Sequence, residues 1–211
     1  MTEEFDDCPP GASLIESMRA HGYNMATAVA DLIDNSIAAG AKNIILKFGH
    51  DKSGSSIMIL DDGRGMTEEE LKAAMTLASI SPLDKRDARD LGRFGLGLKT
   101  ASFSMGRRLT VMTKKEAGKE FIRRWDLDYL REHAHQGWRL LRTPSEKSVH
   151  WLDSAGFEKY RAGTLVLVDE LDRVFGSAKG RAEKNHMQTA EKVKSAIVTV
   201  FITLLGEEVF K

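Results

Sequence analysis

Four short stretches of this 211-residue sequence combine side-chain types and spacings that suit chemistry. In ADLIDNS, Asp31 and Asn35 are four residues apart, so on a helix they stand side by side on one face. A carboxylate and an amide oxygen converging there suit magnesium, which takes hard oxygen ligands, keeps several waters and is often shared with phosphates. The same pattern also describes the wet face of an amphipathic helix. In DDGRGM, an apolar strand ends on Asp61, with Gly63 and Gly65 following. That puts a carboxylate at a sheet rim and lets backbone approach a flat ligand, where Asp61 would accept a hydrogen bond from an exocyclic amino group such as that of adenine. A tight strand-to-helix turn prefers the same residues.

The third stretch is GRFGLGLKTAS, in which Gly92, Gly95 and Gly97 precede a helical pattern. Backbone N–H groups and a helix N-terminus then offer an anion site fit for a di- or triphosphate. It is not a Walker A loop, because Leu98 separates Gly97 from Lys99, and the dinucleotide fingerprint fails because Thr100 takes its third glycine position. A flexible loop is the alternative. The fourth stretch, GTLVLV, opens with Gly163 and Thr164 and reads by itself as a core strand.

The elements that must hold these residues can be traced along the chain. A short helix is expected over 13–22, capped by Ser13, and a longer one over 25–39, stopping at Gly40. On the longer helix Ala26, Val29, Ile33 and Ile37 share one arc, with Asn24, Asp31, Asp34 and Asn35 opposite. Strands are expected at 43–49 and 56–61, joined as a hairpin through Lys52, Ser53 and Gly54, followed by a helix over 67–79. SPLDKRDARD reads as a mobile loop. Strands near 108–114 and 119–126, a stretch without clear periodicity at 128–162, a strand at 164–169 and a helix over 183–205 complete the chain. Because strands and helices do not alternate strictly, the expected fold class is α+β, with a mixed, mostly antiparallel sheet and helices on one face, in preference to a doubly wound parallel sheet.

Composition bounds the rest. A chain of this length with 42% hydrophobic residues closes one core, and 31 basic against 31 acidic residues give no global field toward nucleic acid or an anionic membrane. Cys8 is the single cysteine, so an internal disulfide framework is excluded and a reducing compartment is expected. The acidic start MTEEFDDCPPGAS lacks the parts of a secretory signal, and no apolar run approaches the roughly 18 residues of a membrane span. The expectation is a cytoplasmic protein with no membrane partner. His133 and His135 lack the neighbours that complete a metal spacing. The clusters at Lys85 to Arg89, Arg107 and Arg108, Lys114 and Lys115, and Arg123 and Arg124 read as solvated faces, and Trp125, Trp138 and Trp151 as core or interface anchors.

Taken together, the order and spacing of the four stretches resemble the GHKL ATPases, whose nucleotide-binding unit, the Bergerat fold, implies a two-layer α+β sandwich. The resemblance runs from residue 13 to about 210, and FGLGLKTAS followed by MGRRLTVMTK is most similar to the MORC branch and its bacterial heat-shock-chaperone-like relatives. It implies ATP and Mg2+ as cofactors, with Asn35 coordinating the metal together with phosphate oxygens. Asp61 would take the adenine amino group, Gly63, Gly65 and Met66 would form the base pocket, and Thr164 would support the adenine end. Contacts at Ala39 and along Gly92, Phe94, Gly95, Leu96, Gly97, Leu98 and Lys99 would complete the site, with a lid at about 80–95 and an arm at 1–12. Asp31 stands where the hydrolysing branches usually carry the Glu general base; one methylene shorter, it implies slow hydrolysis. Ala38 stands where several relatives are acidic.

The activity so implied is Mg-dependent ATP binding with slow hydrolysis that gates a conformational or dimerisation switch, with ATP or ADP as ligand and a homodimer on ATP binding. A non-hydrolysing ATP switch and the catalytic part of a histidine kinase are the alternatives; no dimerisation helix carrying an acceptor His precedes residue 13. A nucleic-acid partner follows from family analogy alone. In the hydrolysing relatives a following transducer-like domain supplies a lysine to the γ-phosphate. The sequence ends at VFITLLGEEVFK, so the expectation for residues 1–211 is nucleotide binding with barely detectable turnover and a mostly monomeric state without nucleotide.

Overall fold

The computed structural model of the protein describes residues 14, 16, 19, 24–52, 54–77, 97–116 and 118–173. The expected arm, the lid, most of the helix at 13–22 and the helix at 183–205 lie outside the described residues, as do Gly92, Phe94, Gly95 and Leu96. In chain order the elements are α1 (Met25–Ala38), β1 (Ile44–Asp51), β2 (Gly54–Asp61), α2 (Glu68–Met75), α3 (Gly97–Met105), β3 (Arg108–Lys114), β4 (Phe121–Asp126), α4 (Leu127–Glu132), α5 (Val149–Asp153) and β5 (Gly163–Asp169). The sheet order is β1-β2-β5-β3-β4, and each of its pairings is antiparallel. Two hairpins, β1 with β2 and β3 with β4, are thus joined through β5.

Strand alternation sends Ile57, Ile59, Leu109, Val111, Trp125, Val166 and Val168 to one face, where Ala28, Val29, Leu32 and Ile33 of α1, Leu71 and Met75 of α2 and Ala101, Phe103 and Met105 of α3 cover them. The opposite face, carrying Met58, Leu60, Leu165 and Leu167, is closed by Leu152 of α5 and Phe157. The stretch at 128–162 was hard to read because it works through short turns and single anchors, without a periodic element.

Local signals explain the helix starts. Asn24 caps α1 by accepting from the Thr27 N–H, and Thr67 and Glu70 form a reciprocal capping box on α2. Helix α2 ends at Met75, short of the expected 79, because Thr76 turns to extended backbone at ψ 132°. On α1 the buried stripe is Ala28, Val29, Leu32, Ile33 and Ser36, while Ile37 is exposed. The expected arc is therefore rotated, and a serine lies within the buried face.

The basic clusters of β3 and β4 also differ from the solvated faces expected of them. Arg108, Lys114 and Arg123 are buried. Arg108 pairs with Asp126 at 2.9 Å and Asp169 at 3.1 Å, Lys114 with Glu120, and Arg123 with Glu68. Both faces of these strands are covered, so an arginine there must find a carboxylate. Lys85 to Arg89 lie outside the described residues. Trp125 is a core anchor whose indole N–H donates to the Met75 carbonyl at 2.8 Å, and Trp138 meets it edge-on. No helix among the described residues is long and apolar enough to cross a membrane.

Candidate functional site

At one end of the three central strands, on the helix-covered face, the apolar pattern gives way to polar residues. Asp61 ends β2, pairs in register with Thr164 of β5, and Thr164 pairs in turn with Thr113 of β3. The row is buried. Asp61 Oδ1 accepts the Gly63 N–H at 2.9 Å and the Thr164 N–H at 3.2 Å, and Oδ2 accepts the Ser36 hydroxyl at 2.7 Å. Burial pushes the Asp61 carboxyl up, and those three hydrogen bonds pull against it. Each carboxylate oxygen accepts about two bonds, so the uncommitted capacity is on Oδ2. An ionised carboxylate in such a setting suits a donor, of which an exocyclic amino group is one.

The turn after Asp61 is held from several sides. Asp62 accepts from the backbone of Lys42 and Asn43 and from the Asn43 amide, and the Arg64 N–H donates to the Ala39 carbonyl at 3.0 Å. Ala39 therefore binds the end of α1 to this turn through its backbone. A Cβ at position 63 would come within 2.9 Å of the Ala39 methyl, and Gly65, at φ +62°, lies where a Cβ would overlap the Lys114 carbonyl. Both glycines are required by close approach. Met66 donates its N–H to Thr113 Oγ1 at 3.0 Å and packs on the helix-side core.

Helix α1 brings the remaining polar groups. Asn35, next to the buried Ser36, is exposed, and Asp31 is half-buried one turn earlier. Burial and the Asp31 charge together push the carboxyl of Asp34 up. The face thus concentrates negative charge beside an exposed amide oxygen. Among the described residues no group of three or more His, Cys, Asp or Glu could hold a metal by itself. The donor types on this face, the Asp31 carboxylate and the Asn35 amide, are hard oxygen ligands of the kind magnesium takes one or two of, with water and phosphate supplying the rest.

Of the glycine-rich stretch the structure describes Gly97, Leu98 and Lys99, at the start of α3, which packs along α1. A Cβ at Gly97 would meet nothing within 4 Å. The Lys99 side chain is buried, its ammonium donating to the carbonyls of Ala74 at 2.7 Å and Thr76 at 2.9 Å, so it closes the end of α2. Burial pushes the Lys99 ammonium down to about 8. The unfolded chain keeps that proton up to the ordinary lysine value of 10.5, so stability gains with pH between about 8 and 10.5, and below that window this group adds no pH dependence. Lys99→Met should lower stability by about 1–3 kcal/mol through two abandoned carbonyls. It should also flatten that rise, and urea melts at neutral and alkaline pH that show the same gain of stability with pH in parent and variant would contradict the assignment.

Ser36 and Thr113 are residues that sequence reasoning missed. A threonine in a strand reads as a β-branched filler, and only its place opposite Thr164 marks it. His133, by contrast, packs on Tyr129 and bonds its carbonyl.

The family model for histidine kinase-, DNA gyrase B-, and HSP90-like ATPases matches residues 23–164, and the chain belongs to that family. It is 33% identical over 90 residues to the ATPase morc-1 of Caenorhabditis elegans, covering 43% of this chain and 10% of that protein. It is also 31% identical over 110 residues to the chaperone protein HtpG of Rickettsia canadensis, covering 47% of this chain and 17% of that one. The DNA mismatch repair protein MutL of Rickettsia akari is 30% identical over 93 residues, covering 43% and 15%. The chain therefore spans less than a fifth of the length of each of these three relatives. ATP binding is what membership implies for the domain.

Proposed function

We propose that the chain binds ATP with magnesium, hydrolyses it slowly, and uses occupancy to gate a conformational or dimerisation switch. Asp61 accepts the adenine amino group on Oδ2, and Gly63, Gly65 and Met66 line the base. Asn35 offers its amide oxygen to the metal, whose chemistry is to neutralise phosphate charge. The backbone at Ala39 and along 92–99 follows the sugar and phosphates, and Asp31 orients the attacking water. The observation that carries this reading is the buried Asp61, held by three protein donors with acceptor capacity left on one oxygen.

Asp61→Asn tests it. An amide presents one oxygen, its NH2 group then faces the Ser36 hydroxyl or the backbone donors, and the charge-assisted bond to adenine is lost. ATP binding should weaken at least about tenfold, equivalent to roughly 1.4 kcal/mol, with the circular dichroism spectrum retained. Unchanged affinity would remove Asp61 from the base pocket.

A further inference from the structure

Beyond Asp61 and Thr164, the hydrogen-bond pattern at the end of β3 assigns a role to Thr113. Its Oγ1 accepts the Met66 N–H at 3.0 Å, lies 2.8 Å from the Gly163 carbonyl and 3.1 Å from Thr164 Oγ1. A hydroxyl has one proton and two lone pairs. The Gly163 carbonyl only accepts, so the Thr113 proton goes there. Met66 occupies one lone pair. The contact with Thr164 can then be made in one direction only, with Thr164 donating its proton to Thr113.

We propose that Thr113 is a positioning residue for base selection: by taking the Thr164 proton, it leaves Thr164 Oγ1 with lone pairs alone to offer a ligand. Asp61, next in the row, likewise presents only acceptors. Two neighbouring acceptors favour a purine bearing an amino group at position 6 and repel one bearing a carbonyl oxygen there, because the carbonyl would face lone pairs unpaired. Specificity thus depends on a hydroxyl that need not touch the nucleotide. The inference rests on the adenine reading above and adds to it the residue that fixes the direction of the Thr164 hydroxyl.

ATP and inosine triphosphate differ in that position-6 group and in the proton on N1, and lack the extra 2-amino group of GTP. Their affinities should be compared by calorimetry on the full chain, for the parent and for Thr113→Val and Thr113→Ser. The parent should prefer ATP by at least about tenfold. In Thr113→Val the Thr164 hydroxyl is free to turn its proton to the ligand, so the ratio should fall by about three- to tenfold, whereas Thr113→Ser keeps every bond and should keep the parent ratio. A purely structural threonine would weaken both nucleotides alike, and an unchanged ratio in a folded Thr113→Val overturns the proposal while leaving the adenine site standing. Should that variant not fold, Thr113→Cys keeps the shape with a weak donor and acceptor: an intermediate ratio supports the proposal and the parent ratio overturns it. A parent that binds ATP and inosine triphosphate equally overturns it directly, and one that binds neither removes the nucleotide site itself.

Discussion

Asn35→Ala is expected to abolish magnesium-dependent ATP binding while leaving the fold intact. Asn35 lies on the exposed side of α1, outside the core stripe of Ala28, Val29, Leu32, Ile33 and Ser36, so its truncation creates no cavity. Alanine is also the better helix former, and α1 should not fray. What disappears is the one neutral oxygen on a face where Asp31 and Asp34 already repel each other. Since the neighbouring Ser36 is bonded to Asp61, α1 holds this position in a fixed relation to Asp61. A loss of at least about a hundredfold, roughly 2.7 kcal/mol, should appear in calorimetric titrations with magnesium, and much less when the metal is chelated. Near-normal affinity in the variant would place the metal ligand elsewhere.

The second large effect is on turnover. Asp31→Ala should keep ATP affinity within about threefold and remove hydrolysis, because a group that orients water acts on the transition state and little on the ground state. Asp31→Glu should act in the opposite direction. Its additional methylene carries the carboxylate about an ångström further, and misplacement on that scale costs up to about a hundredfold, so the longer side chain should raise the single-turnover rate. Phosphate release measured on equal amounts of folded protein separates the variants. Equal rates in parent and Asp31→Ala would move the general base to another residue.

Much of the site was legible because its residues are punctuation. Asp61, Gly63 and Gly65 stand out against an apolar strand, and the structure gives each a reason: three donors on the carboxylate, the Ala39 methyl against position 63, the Lys114 carbonyl against position 65. The end of α1 was legible from Gly40, yet the cap at Asn24 and the buried face were not. Hydrophobic periodicity places Ile37 inward, whereas the Ser36 bond to Asp61 turns a polar residue into the core and leaves Ile37 outside. A tertiary hydrogen bond has no trace in periodicity. Lys99 was hidden in the same way: in sequence it belongs to a glycine-rich anion loop, while in space its ammonium closes α2. Arg108 and Arg123 read as surface because their carboxylate partners are far along the chain or on another element. Thr113 has a side chain that suits any strand, and only register sets it beside Thr164.

The central claim, that this face of the domain reads adenine through Asp61 with a magnesium ion on the phosphates, is tested most directly by titrating the unmodified chain with ATP and with GTP in magnesium buffer. The account predicts saturable one-to-one binding of ATP that weakens when magnesium is chelated, and at least about tenfold weaker binding of GTP, whose position-6 oxygen faces acceptors only. Equal affinity for the two nucleotides, or ATP binding indifferent to magnesium, would contradict it.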